Sequence, residues 1–290
     1  MKKLLVTGAS SFLGWHLCQL AQSQWQLYGT YHSNQVDMAD VTMLPLDLTN
    51  SAALRQLMQE IQPDAVIHAA ALSSPNACQS DPDLSYRINV MASWELAERC
   101  ADAGIPCVFT SSEQVFDGLN PPYRETDPAC PVNLYGEHKL AAEVGMLERC
   151  PDVVICRMPL MFGAAPTANS FIQPWIKALR AGKSIDLFTD EIRNPVSGMD
   201  AAQGIFLALA NVKGIIHLGG KERLSRYQMG QVLAEVLQLP LDKLNPCQQA
   251  DVEMAAPRPP DVSLNSELAF SLGYQPKGVK EALEGLQAEL

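Results

Sequence analysis

Residues 4–14 read Leu4-Leu5-Val6-Thr7-Gly8-Ala9-Ser10-Ser11-Phe12-Leu13-Gly14. An apolar triplet runs into a glycine, and Leu13, Leu17 and Leu20 follow at helical spacing, so the stretch predicts a buried strand, a tight turn and a helix. Such a turn is where a pyrophosphate meets a helix N-terminus, whose first N–H groups have no intrahelical partner. The pattern is G-x-x-G-x-x-G with Ser11 at the middle glycine position. On the motif alone, a dinucleotide site and a plain structural turn fit equally. The first reading makes Gly8, Ser11, Phe12, Leu13 and Gly14 the cofactor-binding candidates, with the Ser11 side chain either crowding a phosphate or donating to it.

Outward from this unit the pattern repeats. Gln26–Tyr31, Thr42–Leu46, Ala65–His68, Pro106–Thr110 and Val153–Cys156 read as short apolar strands. Between them, helices are expected from Asn50 or Ser51 to Ile61, from about Leu84 to Ala103 before Gly104, and from about Tyr135 to Leu147. Apolar strands alternating with helices imply an α/β fold: a doubly wound parallel sheet of the Rossmann kind, with ligands at the carboxyl ends of its strands. After Arg157 proline becomes more frequent, with helices expected at Phe171–Arg180, Asp200–Leu209, Tyr227–Leu237 and Val279–Leu286 and strands at Ser184–Phe188 and Gly214–His217. The expected organisation is a dinucleotide-binding domain at 1–157 and a smaller substrate-binding lobe at 158–290, partly interleaved with the first.

Composition narrows the function classes. The net charge of -11 and the absence of any basic run argue against nucleic acid and acidic membranes as partners. The eight cysteines form no C-x-x-C pair and fall mostly in apolar stretches, which reads as free thiols in a reducing compartment. The histidines lack ligand spacing, so no metal site is expected. The first apolar run is too short for a signal peptide or a membrane span, and a cytoplasmic location is expected.

Three further strand-end features carry chemistry. Asp47-Leu48 follows the third strand, where a carboxylate accepts from an adenine amine or simply caps a turn. Ser111-Ser112-Glu113-Gln114-Val115-Phe116-Asp117-Gly118 leaves the fifth strand. Tyr135 and Lys139 then stand one helical turn apart on one face. A neighbouring ammonium lowers a phenol's pKa, so the pair is expected to pass a proton near neutral pH, with Ser112 holding a carbonyl oxygen beside the phenol. His68 reads as a strand residue, His138 as pointing away, Trp15, Trp25 and Trp94 as packing residues, and Trp175 as a candidate wall of a sugar pocket.

These residues are similar to those of the extended short-chain dehydrogenase/reductases, and within them the dTDP-4-dehydrorhamnose reductase branch. The segment 111–118 resembles that branch's S-T-D-Y-V-F-D-G, and Tyr135-Gly136-Glu137-His138-Lys139-Leu140-Ala141-Ala142-Glu143 matches its Y-G-x-x-K-x-x-x-E run. Tyr123, Glu125, Pro131, Asn133, Arg157 and Asn89 also fall in its pattern, and the likeness spans nearly the whole chain. The resemblance implies NAD(P)H-dependent reduction of the 4-keto group of a nucleotide-linked deoxysugar. In that scheme Tyr135 donates the proton, Lys139 holds the cofactor ribose, and Ser112 orients the carbonyl. It places Ala69 and Ala70 on the cofactor and Glu113, Val115, Asn169 and Arg258 on the substrate, and it sets the Arg193–Val196 segment near the substrate or as a structural loop.

Sugar-nucleotide dehydratases carry T-D-E where this chain has Ser112-Glu113-Gln114. An amide at the base position takes no proton at neutral pH, so dehydration is disfavoured. A nucleotide-sugar 4-epimerase and a dinucleotide-binding regulatory subunit like that of methionine adenosyltransferase remain as alternatives. The second strand ends without the acid typical of NAD sites, and His32 and Ser33 are neutral donors, so NADP is the expected cofactor with NAD as the alternative. A homodimer is the assembly considered.

Overall fold

The computed structural model describes residues 1–290. Seven parallel strands form the central sheet: β1 (Lys2–Thr7), β2 (Trp25–Tyr31), β3 (Val41–Pro45), β4 (Ala65–His68), β5 (Cys107–Ser112), β6 (Val154–Met158) and β7 (Gly214–His217). Their order across the sheet is 3-2-1-4-5-6-7, with β1 paired to both β2 and β4. The order reverses between β1 and β4, the place where open α/β sheets bind ligands beyond their carboxyl ends.

The strands read as unbroken apolar runs because both faces are covered. Leu4 and Val6 pack with Leu13 and Leu17 of α1 (Phe12–Ala21) and with Ala201 and Ile205 of α5 (Gly198–Asn211). Leu5 points the other way, against Leu54 and Leu57 of α2 (Ser51–Ile61), Leu96 of α3 (Ala92–Ala103), and Ala142 and Met146 of α4 (Leu134–Arg149). Leu5 is fully buried, and truncating such a side chain to alanine costs about 2–5 kcal/mol.

Three elements differ from the sequence reading in ways that matter for the site. The helix expected from Leu84 begins at Pro82, where the Asp81 side chain accepts from the Leu84 N–H at 3.0 Å. It then passes through a π-helical turn at Arg87–Met91 before α3. That turn carries Asn89, whose side chain exchanges bonds with the Leu72 N–H (2.9 Å) and carbonyl (3.1 Å) and holds the segment after β4 in place. Strand β5 runs on to Ser112, so Ser111 and Ser112 belong to the sheet rather than to a loop.

The chain after β6 returns to the sheet twice. Helix α5 packs on α1, and β7 adds an edge strand pairing Gly214 with Val154 through His217 with Arg157. A separate cluster includes Phe162, Ile172, Ile176, Leu233 and Leu283. No helix is long and apolar enough to cross a membrane.

Candidate active site

A cavity of about 700 Å³ opens over the carboxyl ends of the strands, within the range of small-molecule and cofactor sites. Gly8 forms its floor. Gly8 has φ +70°, and a Cβ there would lie 2.8 Å from the Ala70 Cα, so only glycine lets the first turn approach the end of β4 this closely. Ser11 caps α1: its Oγ accepts from the Gly14 N–H at 3.2 Å. The Ser11 hydroxyl hydrogen remains available to a ligand, and the N–H groups of Phe12 and Leu13 have no intrahelical acceptor. Gly14 is not in the wall; it packs on the turn, where a Cβ would stand 2.1 Å from the Gly8 carbonyl oxygen.

Ser11, Phe12, Leu13, His32, Asp47, Leu48, Ala69, Ala70, Ser112, Tyr135, Lys139 and Asn169 line the same cavity, whereas Ser33 does not. Asp47 performs the capping role weighed for it. Its Oδ1 accepts from the Thr49 N–H and hydroxyl, each at 2.8 Å, and these bonds hold its pKa below the usual carboxylate range. Asp47 nonetheless lines the cavity.

Asn133 caps α4 by accepting from the Gly136 N–H at 3.0 Å, which sets Tyr135 in the first turn at the cavity wall. Lys139 follows one turn later, with Nζ donating to the Thr110 carbonyl at 2.8 Å and lying 4.3 Å from the centre of the Phe109 ring. Burial pushes the Lys139 ammonium down to about 7, opposed chiefly by Glu143. The Tyr135 phenol moves opposite to the expectation of a lowered pKa. Burial raises it, and the facing Ser112 hydroxyl offsets only part of that rise. The physical reason is the phenol's own burial, which penalises the charged phenolate. Tyr135 therefore holds its proton at neutral pH.

A second cavity of about 460 Å³ adjoins the first, the two sharing Ser73. Neighbouring residues split between them: Ser112 lines the first, Glu113 and Gln114 the second. Arg258 and Trp175 also line the second, together with buried Arg193 and Glu191 and half-buried Arg226, which form a chain of charges. Glu113 Oε1 is 3.2 Å from Arg193 Nε, and Arg226 Nε is 2.9 Å from Glu191 Oε1. Arg193 favours the Glu113 carboxylate, but burial outweighs it and pushes the carboxyl up to about 8; Glu113 Oε2 has no partner.

Asn169 lies in the first cavity rather than with the other substrate candidates. Val115 lines neither: it is fully buried with Phe116, Tyr123, Val262 and Leu264. Its place in a short 3-10 turn, Glu113–Val115, points it into the core instead of the cleft. His68 is held between Thr7 Oγ1 (2.6 Å) and Ser93 Oγ (3.1 Å), and burial lowers it to about 3, so it is a neutral strut. His138 turns to Ser85 Oγ at 2.7 Å, away from the cavity.

Sequence reasoning missed Thr30, whose Oγ1 accepts from the Gly8 N–H at 3.2 Å, and Asn34, whose amide reaches the Thr167 carbonyl at 3.2 Å. It also missed the Glu191 and Arg226 pair. No local motif marks these residues, since each acts across more than twenty positions of chain.

Residues 1–290 match the family described as RmlD substrate binding domain. Methionine adenosyltransferase 2 subunit beta of Rattus norvegicus is 30% identical over 297 residues, covering 97% of this chain and 87% of its own. The "Probable low-salt glycan biosynthesis reductase Agl14" of Haloferax volcanii is 29% identical, covering 98% of this chain and 96% of its own. Among solved structures, a hypothetical dTDP-4-dehydrorhamnose reductase from Sulfolobus tokodaii superposes with a TM-score of 0.86 at 28% identity, covering 96% of this chain and 98% of its own.

Proposed function

The chain belongs to the RmlD substrate binding domain family, and from that membership and the geometry of the cavity we propose that it reduces the 4-keto group of a nucleotide-linked deoxysugar with NADPH. The observation that carries this reading is the convergence of Ser112, Tyr135 and Lys139 on one wall of a cavity whose floor is the Gly8 turn. The cavity's shape fits a dinucleotide, because the floor admits no Cβ and the free N–H groups of Phe12 and Leu13 open beside it. Gly8, Ser11, Phe12, Leu13, His32 and Asp47 would hold the cofactor, with Ala69, Ala70 and Lys139 completing its wall.

A nicotinamide held by these residues would supply a hydride to the carbonyl carbon. Tyr135 supplies the matching proton to the carbonyl oxygen, which completes a two-electron reduction to the alcohol. A phenol held up by burial is a proton donor at neutral pH, which suits reduction better than an ionised phenol would. Ser112 donates a hydrogen bond to the same oxygen. The second cavity, with Glu113 and Arg258, would take the rest of the substrate. Gln114 cannot act as a base, and its Oε1 already accepts from the Asn133 amide at 3.1 Å, which speaks against dehydration. The missing acid after β2 favours NADPH over NADH, and a 4-epimerase would draw on the same three side chains.

The decisive experiment is a turnover screen of nucleotide 4-keto-sugars with both nicotinamide cofactors, beginning with dTDP-4-keto-6-deoxy-L-mannose. The expected result is NADPH oxidation, lost by about 10²–10⁴-fold in Tyr135→Phe while cofactor binding is retained. No turnover of any substrate, with no binding of either cofactor by calorimetry, would refute it. The likeness to methionine adenosyltransferase 2 subunit beta supports a second reading, a cofactor-binding partner protein. Tight NADPH binding without turnover, together with a stable complex with a methionine adenosyltransferase catalytic subunit, would favour that reading.

A further inference from the structure

Three consecutive residues at the end of β5 are each engaged by a successive turn of α4. Tyr135 faces Ser112, Lys139 Nζ donates to the Thr110 carbonyl, and Glu143 accepts from the Ser111 hydroxyl. Tyr135, Lys139 and Glu143 are spaced i, i+4, i+8 and so share one helix face. Glu143 is clamped from the other side by Arg157 of β6. Arg157 Nε lies 3.1 and 3.2 Å from the two carboxylate oxygens, and its terminal nitrogen lies 2.7 Å from Oε2. Arg157 is also the register partner of Ser111, so the clamp ties α4, β5 and β6 together at one level of the sheet. Both side chains are almost wholly buried, at 4% and 2% exposure. A bidentate, desolvated pair this close to a reactive site has a geometric consequence for its neighbours.

We propose that Glu143, clamped by Arg157, is a positioning residue of this site: it locks the end of β5 against α4 and sets a buried carboxylate on the Lys139 face of that helix, where it favours the ammonium form. The reductase reading enters only in giving Lys139 its work. The groups facing Lys139 from each packed element support this assignment. Tyr135, on its own helix, is held protonated by burial. His68 of β4 is lowered to about 3 and is neutral. Cys78, from the Pro75–Ser80 helix, has its thiol pushed up by burial and contributes less than Glu143. From β5 come the uncharged Thr110 carbonyl and the Phe109 ring, 4.3 Å from Nζ, and β6 brings the Arg157 guanidinium, paired with Glu143. Burial lowers the ammonium, and the Glu143 carboxylate is the largest influence against it. Removing that anion disfavours the cation, so the Lys139 midpoint must fall.

The test reads Lys139 directly, by NMR titration of protein labelled at the lysine Cε, with the signal assigned through Lys139→Arg. The wild-type midpoint is expected near neutral pH. In Glu143→Gln it is expected to fall by about one unit, a tenfold smaller cationic fraction above the midpoint. Glu143→Asp keeps the charge and is expected to restore most of the shift. Leaving Arg157 buried without its partner can prevent folding, so a second variant replaces both partners, Glu143→Met with Arg157→Met. Apolar replacement of a whole buried pair is commonly tolerated, and a smaller fall in the same direction is expected, because the Arg157 cation leaves together with the carboxylate. An unmoved midpoint in either folded variant, even with lowered thermal stability, overturns the proposal, because it would leave the pair a purely structural clamp. The titration needs no cofactor. Failure of the wild type to bind NADPH would therefore overturn the reductase reading while the Lys139 shift still decides the role of Glu143.

Discussion

Substituting Gly8 by alanine tests the close approach on which the cofactor floor depends. The backbone there has φ +70°, and an L-residue in that region costs about 1–2 kcal/mol. The added Cβ would also stand 2.8 Å from the Ala70 Cα and 2.9 Å from its nitrogen, both backbone atoms that cannot swing aside as a side-chain tip can. Relief requires moving the end of β4, where the Ala70 N–H donates to Thr7 Oγ1 at 3.3 Å and that oxygen is itself bonded to His68 Nδ1. Overpacking of this kind costs a further ~1–3 kcal/mol, so Gly8→Ala is expected to lose about 2–5 kcal/mol in total. Gly104 supplies the control: it has φ +64°, but nothing lies within 4 Å of its Cβ position. Gly104→Ala should therefore show the strain alone, about 1–2 kcal/mol. Urea unfolding of both variants, with m-values compared, isolates the steric part as their difference. NADPH affinity is expected to fall in Gly8→Ala and to stay unchanged in Gly104→Ala. If the two variants unfold at the same midpoint, the tight apposition of the first turn on Ala70 is wrong and the argument for the cofactor floor goes with it.

Because Ser11 caps α1, Ser11→Ala is expected to cost about 1 kcal/mol in urea unfolding and Ser11→Gly only a few tenths. NADPH titration of Ser11→Gly should show affinity kept or improved, and a large loss would mean that the hydroxyl is a required ligand. Stability should also fall with acid. His68 and His217 are lowered to about 3 and His16 to about 4 in the folded state, whereas an unfolded histidine titrates near 6.5. The unfolded chain thus binds more protons below pH 6.5, and the stability present at neutral pH is lost as pH falls from there through the folded values. His16 is buried between Phe12 and Trp15 with neither ring nitrogen bonded, so His16→Leu should flatten the urea-midpoint profile between pH 6.5 and 4 by about one proton. A profile of unchanged slope in that variant would show that His16 does not titrate as its burial requires.

Much of the site was legible because its signals are local. The strand–turn–helix unit at Leu4–Gly14 follows from a continuous apolar run, a glycine and helical spacing, all of which act over a few residues. The Tyr135 and Lys139 pair could be placed on one helix face from spacing alone, and the strand-end position of Ser112 followed from the apolar run before it. The direction of the Tyr135 pKa could not. It depends on how completely the phenol is desolvated, and desolvation is set by every segment that closes over it. Val115 was assigned to the substrate by pattern and lies in the core, because a single 3-10 turn after β5 decides which side of the chain faces the cleft.

By itself, then, the sequence determined the class of fold, the strand–turn–helix unit at Leu4–Gly14 and the order of the Ser112, Tyr135 and Lys139 elements, since periodicity and turn chemistry are properties of neighbours along the chain. Only the tertiary structure decided the rest. It brought β7 to the sheet edge beside β6, set the π-helical turn that points Asn89 at Leu72, and divided Ser112 and Glu113 between two cavities. It also closed Glu143 onto Arg157 and Ser111 across a helix and two strands. Those contacts join residues that are distant in sequence. Their strength comes from burial, which strips water from the charges and so lets one carboxylate favour the ammonium form of a lysine a helical turn away.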